Sequence, residues 1–233
     1  EEAYSDPGKS LCENLVPSTN LHKIQTMQQN TSDALTRIWQ KGSLSFSGLI
    51  DIGPSLKRLE IGSTLGMGEL LNISSLLKVA NRVKAFSRND DDSTDSLDGM
   101  FDALMPLTNL NKEIEKCIIS PEEMADDASY NLKNIRRKIK LTNDRIHSQL
   151  SHLVNSTSGK TYLQDSLITM RDGRYCVPVK QEHRSSVPGI IHDQSSTGST
   201  LFVEPAVVVE LNNKLRELAM KEADEIQIIL ANL

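Results

Sequence analysis

The hydrophobic period of this 233-residue chain changes twice in its second half, and no other feature restricts its fold as strongly. Ala128, Leu132, Ile135, Ile139, Thr142, Ile146, Leu150 and Leu153 recur at steps of four and three. That is a narrow, coiled-coil-like stripe along one helix of about seven turns, interrupted only by the polar Thr142. Ser129 supplies an N-cap, Asp126 and Asp127 ahead of it suit the helix dipole, and Asn155-Ser156-Thr157-Ser158-Gly159 ends the run. At about 1.5 Å per residue such a helix is roughly 40 Å long. From 160 to 205 the period becomes two. Runs 167–171 and 174–180 flank Asp172-Gly173, a two-residue hairpin turn of the primed kind. Runs 187–192 and 200–203 are joined through Ser195-Ser196-Thr197-Gly198 as a second hairpin. Pro178 should place its run at a sheet edge or a bulge. Beyond Pro205, Val208, Leu211, Leu215, Leu218, Ala219, Ile226, Ile229, Leu230 and Leu233 restore a helical stripe. Two helices of matched length around a β excursion should lie antiparallel and bury their stripes together.

The first half reads as several short helices. Asn20, after the breaker Pro17, caps one over 21–40, and 69–86 places Leu70, Ile73, Leu76, Leu77, Ala80 and Val83 at helical steps. An acidic, polar connector follows at 89–95. The fold class expected is therefore mainly α with a small antiparallel β subdomain. Its parts are a helical core over 1–128, an outgoing helix over 129–159, a β-rich tip over 160–205 and a returning helix over 206–233. Aromatic residues are 4% of the chain, which leaves the core to aliphatic side chains and favours helices over a sandwich. Hydrophobic residues at 38% exclude wholesale disorder, and no apolar run approaches the ~20 residues of a membrane span. Cys12, Cys117 and Cys176 are far apart and odd in number, the usage of a reducing compartment, and no signal-peptide pattern is present. The chain reads as a cytoplasmic piece of something longer.

A net charge of −5 argues against a uniformly basic binder, but the total hides its distribution. Residues 88–127 hold twelve acidic side chains and three basic ones, net −9, and read as a solvated face plus loop. Along 129–155, Lys133, Arg136, Arg137, Lys138, Lys140 and Arg145 face the single acid Asp144, net +5. Lys160, Arg171, Arg174, Lys180 and Arg184 continue the strip over 160–184, where Asp165, Asp172 and Glu182 leave net +2. A basic arm with a basic tip can meet a phosphate backbone while an acidic body stays clear. The competing reading is a solvated coiled-coil face with no ligand.

Catalytic patterns are thin. His192-Asp193-Gln194-Ser195 contains the residue types of a nucleophilic triad, but neighbours on a strand alternate faces and cannot form the chain of bonds a triad needs. His183, His192, Glu182 and Asp193 match no zinc spacing. No G-x-x-x-x-G-K-[ST] loop occurs, and Gly62, Gly66 and Gly68 do not have dinucleotide-fingerprint spacing, so no cofactor site is expected.

Several runs nevertheless resemble one family. They are Tyr162-Leu163-Gln164-Asp165, Arg171-Asp172-Gly173-Arg174-Tyr175-Cys176-Val177-Pro178-Val179-Lys180 and Val187-Pro188-Gly189-Ile190-Ile191-His192-Asp193-Gln194-Ser195. Thr197-Gly198-Ser199-Thr200-Leu201-Phe202-Val203-Glu204-Pro205 and Val208-Val209-Glu210-Leu211-Asn212-Asn213-Lys214-Leu215-Arg216-Glu217-Leu218 belong with them. Looser matches lie at Leu15-Val16-Pro17-Ser18-Thr19, at Asp51-Ile52 and from Ser129 through Arg137. Together they resemble the second bacterial branch of the MutS family, MutS-two, over essentially the whole chain. The resemblance implies that 1–128 is a core domain, the long helices a lever and the β tip a clamp. It implies a longer homodimeric protein whose ATPase domain, with ATP and Mg, and Smr-type nuclease domain lie outside this chain. No mismatch-reading domain with an aromatic wedge is visible. The implied partners are branched DNA or stalled, collided ribosomes, in suppression of recombination or ribosome rescue, with no membrane role. The residues expected to contact nucleic acid are Arg136, Arg137, Lys138, Lys140, Lys160, Arg171, Arg174, Lys180 and Arg184, and no catalytic residue is expected in this chain. The alternative is a purely structural spacer that contacts protein.

Overall fold

The computed structural model describes residues 5–87 and 94–233. Most of the acidic connector expected at 89–95 lies outside the described residues. The chain divides into two compact units, residues 1–125 with 230–233, and residues 126–229.

The first unit is helical, as the spacing predicts. It contains α1 (Asp6–Glu13), α2 (Leu21–Lys41), α3 (Gly53–Glu60), α4 (Met67–Ser87), α5 (Asp98–Asp102) and α6 (Thr108–Cys117). A two-stranded ladder, β1 (Ile118–Ser120) with β2 (Glu123–Met124), closes it. Asn20 caps α2, its side-chain oxygen accepting from the Lys23 amide at 3.1 Å. α4 is the central helix, burying Leu70, Ile73, Leu77, Val79 and Val83 and packing against α5, α6 and β1. The acidic stretch is not only a solvated face. Asp95 and Asp98 both bind Arg37, a buried arginine that also donates to the Ser87 carbonyl and lies over the Phe101 ring. A guanidinium removed from water needs this many partners to stay charged at low cost.

The second unit begins with α7 (Tyr130–Asn155) and a short α8 (Thr157–Tyr162). Strands β3 (Thr169–Arg171), β4 (Arg174–Lys180), β5 (Gly189–Gln194) and β6 (Thr200–Pro205) follow, and α9 (Ala206–Asn232) returns. Ser129 caps α7, accepting from the Leu132 amide at 2.9 Å. Helix α8 occupies a segment that reads as a helix stop. Ser156 caps it, and Gly159 is required because a Cβ there would lie 2.1 Å from the Leu153 carbonyl oxygen.

The four strands form one antiparallel sheet in the order β3-β4-β6-β5. Asp172 and Gly173 both have positive φ, 51° and 73°, the primed turn that Asp-Gly predicts. Pro178, expected at an edge or bulge, instead lies inside β4, a central strand. Its carbonyl accepts from the Gln164 amide at 2.9 Å, so its missing N–H also points toward that flank and not toward β6. β3 pairs only as far as Cys176, so no ladder bond is lost there.

The expected helix stripes meet the sheet as much as each other. From Thr142 onward the buried positions of α7 recur every four residues, at 142, 146, 150 and 154, while Leu153 is only half-buried. Four residues overshoot one turn by about 40°, so the buried face rotates along the helix and spreads over a sheet instead of holding one coiled-coil seam. Ile146, Leu150 and Val154 share a core with Val177, Val179, Leu201 and Val203 of the sheet and Val208 of α9. At the other end of α7 the ties to α9 are polar. Ser129 donates to Glu225 at 2.7 Å and Arg136 to Glu222 at 2.7 Å, which fixes the two helices as antiparallel. Ala219, assigned to the α9 stripe, is exposed, whereas polar Asn212 is buried.

Candidate nucleic-acid interface

The nine candidate cations fall into three groups by what holds them. Arg137, Lys138, Lys140, Lys160 and Arg184 are exposed, and no described residue hydrogen-bonds or ion-pairs with their side chains. Lys180 is half-buried and donates to the Thr161 carbonyl at 3.1 Å. Arg136, Arg171 and Arg174 are each ion-paired to a carboxylate of the same unit. The unpaired group is extended on α7 by Lys133 and Arg145, also exposed and without partners. By helical geometry Lys133, Arg137 and Lys140 share one edge of the outward face and Lys138 and Arg145 the other. Half-exposed Leu141 lies between them, and Asp144 is the only acid on the helix.

Arg136 belongs to the scaffold. It joins α7 to Glu222 on α9 and to Asp126 at 2.6 Å, ahead of the helix. Helix α9 explains this, since 206–233 carries five acidic residues against three basic ones and offsets part of the α7 charge where the helices are tied.

Arg171 and Arg174 face each other across the β3–β4 hairpin. Like charges directly opposite in a sheet repel, and each is neutralised by its own carboxylate. Arg171 pairs with Asp193 at 3.0 Å, with side-chain exposures of 36% and 50%. An ion pair this open is worth about 0–1 kcal/mol. Arg174 pairs with Glu204 at 2.8 Å and donates to Asn213 at 2.7 Å; its own exposure is 19% and that of Glu204 is 0%. Glu204 also accepts from Asn212 at 2.8 Å and bonds His192 Nε2 at 2.6 Å. Asn212 in turn bridges the Tyr175 amide and carbonyl, so this cluster ties α9 to β4, β5 and β6. A bulge in β5 after Ile191 puts Asp193, one residue beyond His192, across from Phe202.

Burial alone would raise the pKa of Glu204. Hydrogen bonds from His192, Asn212 and Arg174 outweigh it and hold the carboxyl below the usual glutamate range. The folded pKa therefore lies under the unfolded one. This contribution to stability is complete above the unfolded value of about 4.3 and is lost as pH falls through the folded value. In urea melts taken from about pH 6 to about pH 3, wild type should lose more stability than Glu204→Gln; parallel losses would show that Glu204 is not a linked group. Burial first, and then the Glu204 charge, push the Cys176 thiol up to about 11, so it is a protonated, inert side chain at neutral pH.

The triad residue types are dispersed by these bonds. His192 goes to Glu204, Asp193 to Arg171, and the Ser195 hydroxyl accepts from the Thr200 amide at 3.1 Å as turn chemistry. His183 stands against the Tyr162 ring. Among the described residues no group of three or more His, Cys, Asp or Glu could hold a metal ion, and no helix is long and apolar enough to cross a membrane. Sequence reasoning missed Asn212, Asn213 and Phe202 as site residues. The available signal was Asn212 itself, a polar residue four after Val208 and therefore on the apolar stripe.

Sequence relatives decide the family. The chain is 52% identical to a protein named Endonuclease MutS2 from Lachnoclostridium phytofermentans, over 99% of this chain. A protein of the same name from Agathobacter rectalis is also 52% identical over 99%, and one from Alkaliphilus oremlandii is 43% identical over the full chain. This chain belongs to the MutS2 family. It spans about 30% of the length of these curated relatives. No protein-family model matches it. Within the family frame, the cluster around Glu204 and the unpaired face of α7 both lie in the second unit.

Proposed function

We propose that the second unit is the nucleic-acid-contacting arm and clamp of a longer MutS2 protein, and that it acts without chemistry of its own. In this reading it closes on the phosphate backbone of branched DNA or of ribosomal RNA in a stalled ribosome. ATP- and Mg-dependent steps, nuclease cleavage and dimerisation are assigned to the rest of such a protein. One observation carries the reading. The outward face of α7 presents five cations with no partner in the described structure, beside a single acid. Cations left unpaired on a rigid helix can replace the counterions of a phosphate backbone without reading sequence.

The test measures binding to a fluorescent four-way DNA junction and to a ribosomal RNA helix across salt concentration. Neutralising Arg137, Lys138 and Lys140 together to glutamine should reduce the slope of log affinity against log salt by about 2–3. An unchanged slope removes the α7 face from the interface. The spacer reading keeps one specific observation in its favour: Arg136, Arg171 and Arg174 are already paired with carboxylates of the same unit. It predicts no binding of either probe even at low salt.

A further inference from the structure

Arg171 is held differently from the other paired cations of its unit. Its guanidinium lies over the Phe202 ring, 3.8 Å from the centroid, and Nη1 donates to the Met170 carbonyl at 2.9 Å. Those two contacts orient the group from the protein side. On the solvent side its partner is Asp193, which meets Nε through Oδ2 and is half exposed. Nη2 has no hydrogen-bond partner among the described residues. The oriented edge of the guanidinium is thus one carboxylate oxygen short of a two-point contact. A phosphate can supply both points. Arg174, by contrast, is locked by the fully buried Glu204 and by Asn213 and cannot turn outward without stranding a buried charge.

The geometry points to Arg171 as a phosphate contact that Asp193 masks. The carboxylate occupies the guanidinium until a backbone phosphate replaces it, and its charge opposes that replacement. Asp193 is then a brake that sets how tightly the β tip grips. The inference rests on the nucleic-acid reading above and goes beyond it by assigning an opposing role to an acidic residue. A structural role for the pair predicts the reverse, since removing either partner would then loosen the tip.

The experiment compares wild type, Asp193→Asn, Arg171→Gln and the double variant on a fluorescent four-way DNA junction and on an RNA hairpin of equal length. Asp193→Asn should bind about three- to fivefold tighter, the reach of an exposed ion pair. Its salt slope should steepen by roughly 0.7–0.9, one added phosphate contact. Arg171→Gln should cancel both gains in the double variant. Asp193→Ser should reproduce the gain, and thermal melts report whether each variant is folded. A gain on one probe only identifies DNA or RNA as the source of the phosphate. The inference is overturned if folded Asp193→Asn and Asp193→Ser bind no tighter. It also fails if the gain persists without Arg171, which would make it a general charge effect. If none of these proteins binds either probe at low salt, the nucleic-acid reading falls and this inference with it.

Discussion

Replacing Arg174 by leucine should lower the stability of the second unit by about 3 kcal/mol, the low end for breaking a buried ion pair. The loss comes from what remains. Glu204 has no solvent exposure, and the arginine that pairs with its charge is gone. His192 and Asn212 still bond it, which keeps the loss from being larger. The same substitution frees the Asn213 side chain and loosens the tie between β4 and α9. Urea unfolding followed by circular dichroism measures the effect. Adding Glu204→Gln should recover at least half of it, because no uncompensated charge then remains buried. A loss below about 1 kcal/mol, or no recovery in the double variant, would show that the pair behaves as a surface bridge. Arg174 is consequently a poor probe of nucleic-acid binding, since its removal disturbs the fold that presents every other cation.

Leu150→Ala should cost about 2–5 kcal/mol, the range for deleting a fully buried leucine side chain. Leu150 has no solvent exposure and lies in the core shared by α7, the sheet and the start of α9. The cavity opens where the rotating buried face of α7 meets β4 and β6, so the sheet cannot collapse onto it without moving the helix. Leu141→Ala on the outward face, where the side chain is 48% exposed, should change stability by less than about 0.5 kcal/mol. Equal effects at the two positions would mean that α7 presents a different face to the sheet.

Much of the local structure is legible in the sequence. The caps at Asn20 and Ser129, the primed turn at Asp172-Gly173 and the two long helices depend on residues within about four positions of each other. The expectation for Pro178 fails because its effect depends on which flank its nitrogen faces, and that is set by Gln164 and by the shortness of β3. The narrow α7 stripe suggests a helix–helix seam, but periodicity reports that a face is buried and not what covers it. The acidic stretch reads as solvated, yet Asp95 and Asp98 hold a buried arginine 58 and 61 residues away.

The candidate interface divides along the same line. Sequence alone determined that cations cluster on one helix and on the strands that follow it, and that the order of elements is helix, paired hairpins, helix. It also identified the family, through 52% identity to longer relatives over 99% of the chain. Only the tertiary structure decided which of those cations are available. Arg136 meets Glu222 across 86 positions, Arg174 meets Glu204 across 30, and Arg171 meets Asp193 across 22. The first depends on α7 and α9 running antiparallel, and the other two on β4 lying beside β6 and on one bulge after Ile191. The physical reason is the range of the forces involved. Helix and turn preferences act within a few residues, whereas a charge is neutralised by whichever opposite charge folding brings within a few ångströms.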